Sequence, residues 1–196
     1  MPPRPPADAE AAAPRRAMRA DARRNRERLL IAAHEVFTEK PHEASMDDVA
    51  KRAGVGTGTL FRNFPTRIDL IRAIYEENLQ QLGALAAEIS RTREPWEGLV
   101  EWLHAFVVFS QMNRAIIGEL NQAANHDPEF DRRTTEQIDT AVGNVLKRAH
   151  AAHAVDPDLT ARDLVQLIGG LVLFMATDDT RNDYLLGLIV RGIQMP

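Results

Sequence analysis

The chain has 196 residues, 27% of them charged and 44% hydrophobic, which suits one or two compact domains with a sizeable core. It contains no cysteine, so a disulfide framework and a thiolate metal site are excluded, and a reducing, cytoplasmic setting is expected. The net charge of −4 argues against a nucleic-acid partner until it is divided: residues 15–72 carry 13 basic and 8 acidic side chains, residues 73–196 carry 10 and 18, and residues 1–14 carry 1 and 2.

Residues 1–20 are rich in Pro, Ala and Arg, with almost no bulky apolar side chain before Met18. Such a segment buries too little surface to offset its ordering entropy, so a disordered arm is expected, carrying Arg15, Arg16 and Arg19 and followed by Arg23 and Arg24. Its opening Met1-Pro2-Pro3-Arg4 leads into no apolar run of the kind a secretory signal needs. From 21 to 40 the pattern is helical, with Leu29, Ala33, Val36 and Phe37 at i, i+4, i+7 and i+8, and Pro41 ends it.

The segment from Ser45 to Phe64 is the most informative. Ser45 is a good N-cap, and Asp48 three residues on completes an acidic capping box. Val49, Ala50 and Ala53 give a narrow apolar face, with Ala50 small enough to let a second helix cross closely. Gly54 stands where a helix C-terminus wants a left-handed residue. Val55, Leu60 and Phe64 then anchor a second short helix, leaving Thr57, Thr59, Arg62 and Asn63 to point outward. That is helix-turn-helix patterning, whose usual purpose is reading the DNA major groove. Pro65-Thr66 punctuates the exit, and Thr66 caps a fourth helix with Leu70, Ile71, Ile74, Tyr75 and Leu79 on its apolar side.

The run Gly54-Val55-Gly56-Thr57-Gly58-Thr59-Leu60-Phe61-Arg62-Asn63-Phe64-Pro65-Thr66-Arg67, followed by Leu70, resembles the TetR (tetracycline-repressor-like) transcriptional regulators. Upstream, Arg23, Asn25, Arg26, Leu29, Leu30, Ala32, Ala33 and Phe37 are similar to that family's first helix. The likeness in motifs covers residues 21–80; a softer one touches Pro157-Asp158-Leu159-Thr160 and Tyr184-Leu185-Leu186-Gly187-Leu188. It implies a DNA-binding set of Ser45, Met46, Thr57, Gly58, Thr59, Phe61, Arg62, Asn63 and Arg67. Phe61 stands where the family more often has tyrosine, so a phosphate contact through that hydroxyl is lost. Arg67 takes the place of a basic residue that holds a backbone phosphate. Arg62 suits either guanine O6 and N7 or a phosphate, and Asn63 either adenine or the backbone. The N-terminal arm reads either as a solvated tail or as an arm that follows the minor groove or the backbone, as in other helix-turn-helix proteins.

Beyond residue 85 only helical periodicities occur. Pro95 starts a helix bearing Trp96, Leu99, Leu103, Phe106 and Val107; residues 112–125 form another, stopped by Asp127-Pro128; and 129–150 form a long polar one striped by Ile138, Val142, Val145 and Leu146. Asp156-Pro157-Asp158 breaks it. Two last helices, 160–177 and 181–193, are apolar on more than one face: Leu164, Leu167, Ile168, Leu171 and Met175 form one stripe, Val165, Gly169, Val172 and Ala176 another. Two apolar faces in so small a protein call for a second subunit. The uncharged stretch 164–177 is too short to span a bilayer, so no membrane partner is expected.

Trp102, Phe106, Phe109, Phe174 and Tyr184 are either core and dimer seam or the lining of a small-molecule cavity between helices. The resemblance implies such a cavity; Asn121, Gln122 or His104 are the polar side chains expected to take part, on no motif of the family. The glycines at 54, 56 and 58 lack the Gly-Lys-Ser/Thr of a phosphate loop. The histidines offer no third ligand beside His150 and His153, and no serine has a nucleophile context, so neither a metal, a cofactor nor catalysis is expected.

The expected fold is all-α: a disordered basic arm (1–20), a helix-turn-helix DNA-binding domain (21–80) and a helical ligand-binding and dimerisation domain (81–196). The expected function is a sequence-specific regulator, a repressor released from its operator by a small-molecule effector. Its expected partners are double-stranded, near-palindromic DNA, a second copy of itself and the effector. The rival readings are a helical small-molecule carrier or enzyme and a non-specific architectural DNA binder, against which the acidic body argues.

Overall fold

The computed structural model describes residues 7–40, 43–122, 127–173 and 179–195. Their elements are α1 (Ala7–Glu39), α2 (Met46–Ala53), α3 (Thr57–Asn63), α4 (Arg67–Thr92), α5 (Pro95–Met112), α6 (Arg114–Gln122), α7 (Pro128–Ala151), α8 (Ala161–Leu173) and α9 (Asp179–Ile193). Among the described residues there is no strand, only an isolated antiparallel bridge between Val155 and Gln194, so the all-α expectation holds.

The chain divides into two compact units, Met1–Ile74 and Tyr75–Pro196. The division falls inside α4, a little before the expected junction at 80. The physical reason is local: Tyr75 already belongs to the second unit, its ring packed 5.8 Å from Phe109 and 6.0 Å from Phe130.

In the first unit α1 packs on α2, and α2 on α3. Leu29, Ala32, Ala33, Val36 and Phe37 of α1, Val49 and Ala50 of α2, Leu60 of α3 and Leu70 and Ile71 of α4 are buried, each fulfilling its place in the apolar pattern. In the described residues α1 extends back to Ala7, into the segment read from composition as an arm. Ala7, Ala9, Ala11, Ala12 and Ala13 have the highest helix propensity of any residue, and the helix continuing into the packed segment after Asp21 supplies its nucleus. Pro14 withholds one backbone N–H inside that helix without ending it.

In the second unit α5 packs against both α7 and α8, α7 and α8 pack on each other, and α9 lies on α8. Leu99, Trp102, Leu103, Val142, Val145, Leu164 and Ile168 form the centre of that core. The helix expected at 112–125 begins instead at Arg114, because α5 runs on to Met112 and Asn113 caps it. Thr160 and Asp163 make a reciprocal capping box before α8, with bonds of 3.2 and 2.9 Å, and Asp127 accepts from Phe130 N–H at 3.1 Å with Pro128 as the first residue of α7. No helix among the described residues is long and apolar enough to cross a membrane.

Candidate nucleic-acid interface

The candidate interface is built from the α2–α3 pair. Ser45 Oγ accepts from Asp48 N–H at 3.1 Å, and Asp48 Oδ2 accepts from Ser45 N–H at 3.1 Å, the reciprocal box expected from Ser-x-x-Asp. The Ser45 hydroxyl donates to the same carboxylate at 2.7 Å, and these bonds hold the Asp48 carboxyl below its usual range. At the other end Gly54 adopts φ 63°, and Val55 N–H reaches back to Ala50 O at 3.0 Å, turning the chain into α3.

On α3 the burial pattern separates anchors from the free face. Leu60 and Phe64 are buried, whereas Thr57, Gly58, Phe61 and Arg62 are exposed, Phe61 to 47%. Arg62 Nε donates to Gly58 O at 3.1 Å, which lays the side chain along its own helix. Asn63 and Thr59 are half-buried, and Asn63 Nδ2 donates to Thr59 O at 2.8 Å. Asn63 thus spends one amide hydrogen inside α3 and keeps its oxygen available. Ser45 is exposed and Met46 half-buried at the start of α2.

Arg67, which the resemblance puts in the place of a phosphate-holding residue, also makes contacts inside its own unit. It is half-buried, donates to Ala44 O just ahead of the α2 cap, and stands with its guanidinium 4.3 Å above the Phe37 ring. The side chain therefore ties the start of α4 to α1 and to the segment leading into α2.

Three arginines to which the sequence reading gave no contact of their own organise the same unit. Arg28 of α1 donates through Nε and Nη2 to Ala53 O at 3.0 and 2.7 Å and through Nη2 to Gly54 O at 2.8 Å, satisfying carbonyls left open at the end of α2. Arg52 bridges Glu39 at 2.7 and 3.0 Å and Glu35 at 3.0 Å, and its bonds to Glu39 pull that carboxyl below its usual range. Arg26 stands 4.7 Å over the Phe64 ring. No spacing rule distinguishes these arginines from Arg23 or Arg24; their roles arise only when α1 meets the turn.

The residues read as either core or the lining of a ligand cavity take different places in the second unit. Trp102, Phe106 and Phe109 are buried and packed ring on ring, with centroids 5.1 and 6.2 Å apart, and Trp102 Nε1 donates to Leu82 O at 3.4 Å. They fill the interior rather than opening it. Tyr184 is instead 51% exposed on α9, with Arg181 5.0 Å over its ring. Asn121 is carried by α6, its side chain outside the described ones, and Phe174 lies outside the described residues. An open groove of about 400 Å³ runs between α4 and α7, bordered by Leu79, Gln80, Gly83, Arg133, Gln137 and Asn144, none of which was expected. Among the described residues no three His, Cys, Asp or Glu side chains gather as a metal site, and His150 Nε2 lies 3.2 Å from Asp156 O.

Known proteins match both units. Residues 29–74 match the family described as bacterial regulatory proteins, tetR family, and residues 94–195 match the C-terminal domain of SbtR-like transcriptional regulators. The HTH-type transcriptional regulator UidR of Escherichia coli K12 is 28% identical over 178 residues, 83% of this chain and 87% of that protein. The HTH-type transcriptional activator FasR of Mycolicibacterium smegmatis is 28% identical over 149 residues, 69% and 67% of the two chains. The crystal structure of the TetR transcriptional regulator SCO0520 from Streptomyces coelicolor superposes with a TM-score of 0.73 at 29% identity, over 86% of this chain and 98% of that one. With a tetR-type helix-turn-helix in its first unit and a TetR C-terminal domain across its second, the chain belongs to the TetR family of DNA-binding transcriptional regulators.

Proposed function

We propose that the protein is a homodimeric repressor that binds a near-palindromic DNA operator and leaves it when a small-molecule effector occupies the second unit. The observation that carries the DNA reading is the divided surface of α3: Leu60 and Phe64 anchor it while Thr57, Gly58, Phe61 and Arg62 stay exposed. Arg62 is the group best suited to guanine O6 and N7, since its single bond to Gly58 O leaves four guanidinium hydrogens for a base edge or a phosphate. Ser45, Met46, Thr57, Gly58, Thr59 and Asn63 position the pair on the backbone through hydroxyl, amide and main-chain groups, and Arg67 adds one phosphate contact.

Dimerisation through α8 and α9 is supported by the face they leave unburied. Leu164, Ile168 and Val172 point into the core, whereas Leu167 on α8 and Tyr184 and Leu188 on α9 are 43%, 51% and 44% exposed beside the exposed Gly169 and Gly170. Two heads related by a twofold axis then enter successive major grooves about 34–36 Å apart. An effector releases such a dimer only by binding one head spacing more tightly than the other.

The experiment is selection of bound sites from a random DNA pool, followed by gel shifts and a metabolite screen for release. A near-palindromic, salt-sensitive site is the expected result. Binding indifferent to sequence, or a monomer in solution, overturns the reading. Removing the gene separates repressor from activator, the activity named for FasR: transcription from the selected site rises in the first case and falls in the second.

A further inference from the structure

We propose that Phe61 is a specificity-determining residue: its ring packs on the C5-methyl group of a thymine in each half-site, and Gly58 beside it supplies the clearance that brings this face of α3 onto the base edges. The inference rests on the DNA-binding reading above and deepens it by naming a base.

The exposed face of α3 has a definite order. At about 100° per residue, Thr57, Phe61, Gly58 and Arg62 follow one another around the helix over an arc of about 140°. All of them are exposed, whereas Leu60 and Phe64, outside the arc, are buried. Phe61 and Gly58 therefore flank the middle of the face, and the Phe61 ring is 47% exposed there. A lone exposed aromatic is ordinary on a protein surface. This one stands on the face that offers Arg62 to the groove.

The chemistry of the ring narrows its partner. A phenyl group has neither donor nor acceptor, so it satisfies no phosphate oxygen and no polar atom of a base. Of the groups that base pairs present in the major groove, the thymine C5-methyl is the apolar one. Ring against methyl removes apolar surface of both from water.

Gly58 is an independent observation. Glycine is the poorest helix former after proline, yet it is the second residue of α3. The positive-φ glycine among the described residues is Gly54, so no left-handed turn calls for Gly58. A Cβ added there would meet nothing within 4 Å, so no close packing calls for it either. The missing side chain instead leaves a gap on the exposed face, beside Phe61, where a base edge can come close to the helix backbone. Arg62 borders the gap on its other side, laid along the helix by its Nε bond to Gly58 O at 3.1 Å.

The test uses the full-length protein on its selected site, with each thymine replaced in turn by deoxyuridine, which removes the methyl and keeps the base pairing. Expected is a thymine in each half-site whose replacement weakens wild-type binding by about fourfold, the worth of one buried methyl, and by about fifteenfold when both half-sites are changed. Phe61→Ala binds the thymine and deoxyuridine sites equally, with an unchanged salt slope because no charge is lost. Gly58→Ala melts no lower than wild type but loses affinity for the selected site. Thermal melts show that Phe61→Ala is folded, and the deoxyuridine series on wild type needs no variant. A preferred site indifferent to every thymine methyl overturns the proposal and leaves the regulator reading standing. A methyl effect undiminished in Phe61→Ala does the same, as does Gly58→Ala binding like wild type. Wild-type protein that binds every sequence alike overturns the regulator reading and this one with it.

Discussion

Arg28 on α1 donates two hydrogen bonds to the Ala53 carbonyl, at 3.0 and 2.7 Å, and so holds the α2–α3 turn from outside the pair. Gly54 beside it sits at φ 63°, and without Arg28 its carbonyl and that of Ala53 would depend on water. Replacement Arg28→Ala is expected to lower stability by about 1–2 kcal/mol, the worth of hydrogen bonds from a charged group at a partly solvated site, and to weaken operator binding with it. Arg28→Lys recovers only part, since an ammonium has no fixed fork. Urea denaturation and gel shifts on the same preparations check both; unchanged stability in Arg28→Ala would contradict the bracing role.

Arg67 joins α4 to Ala44 and to the Phe37 ring. Arg67→Ala is expected to weaken binding to all sequences alike. A salt slope flatter by about one unit reports a lost phosphate contact. A lowered melting temperature at constant slope would instead limit Arg67 to positioning α2. A changed base preference with the slope intact is incompatible with either role.

Gly98 stands where α5 passes closest to the end of α4. A Cβ added there would lie 2.8 Å from Ile89 Cγ2 and 3.3 Å from Arg93 Cβ. Gly98→Ala therefore exchanges a helix-propensity gain of about 1 kcal/mol for an overpacking cost of about 1–3 kcal/mol, and a net loss of stability is expected. In an Ile89→Ala background the obstructing methyl is absent, and the same change is expected to become neutral or stabilising. Additive effects in a double-mutant cycle would show that the two side chains do not collide.

Tyr75 is 7% exposed, and burial first, with Asp131 second, pushes its phenol up to about 12 from an ordinary value of 10.0. The unfolded chain releases this proton near pH 10 while the folded one keeps it. Stability from this group is therefore complete below pH 10 and falls as pH rises toward 12, by up to about 2–3 kcal/mol. Tyr75→Phe is expected to flatten that alkaline limb. A limb unaltered in the variant would assign the loss to other groups.

The fold class and the local geometry of the candidate interface were legible in the sequence because they rest on local rules. Capping chemistry marked Ser45 and Asp48, the left-handed turn demanded Gly54, and the spacing of Leu60 and Phe64 set which side of α3 stays exposed. What only the tertiary structure decided were contacts between segments far apart in the chain. It gave Arg28 to Ala53, Arg52 to Glu35 and Glu39, and Arg67 to Ala44 and Phe37, and it stacked Trp102, Phe106 and Phe109 into core where the sequence left core and cavity lining both open. Periodicity tells which side of a helix is apolar, but whether two apolar sides close on each other or leave room between them depends on how the helices pack. An arginine likewise reads alike at every exposed position until a neighbouring backbone arrives with carbonyls to bind.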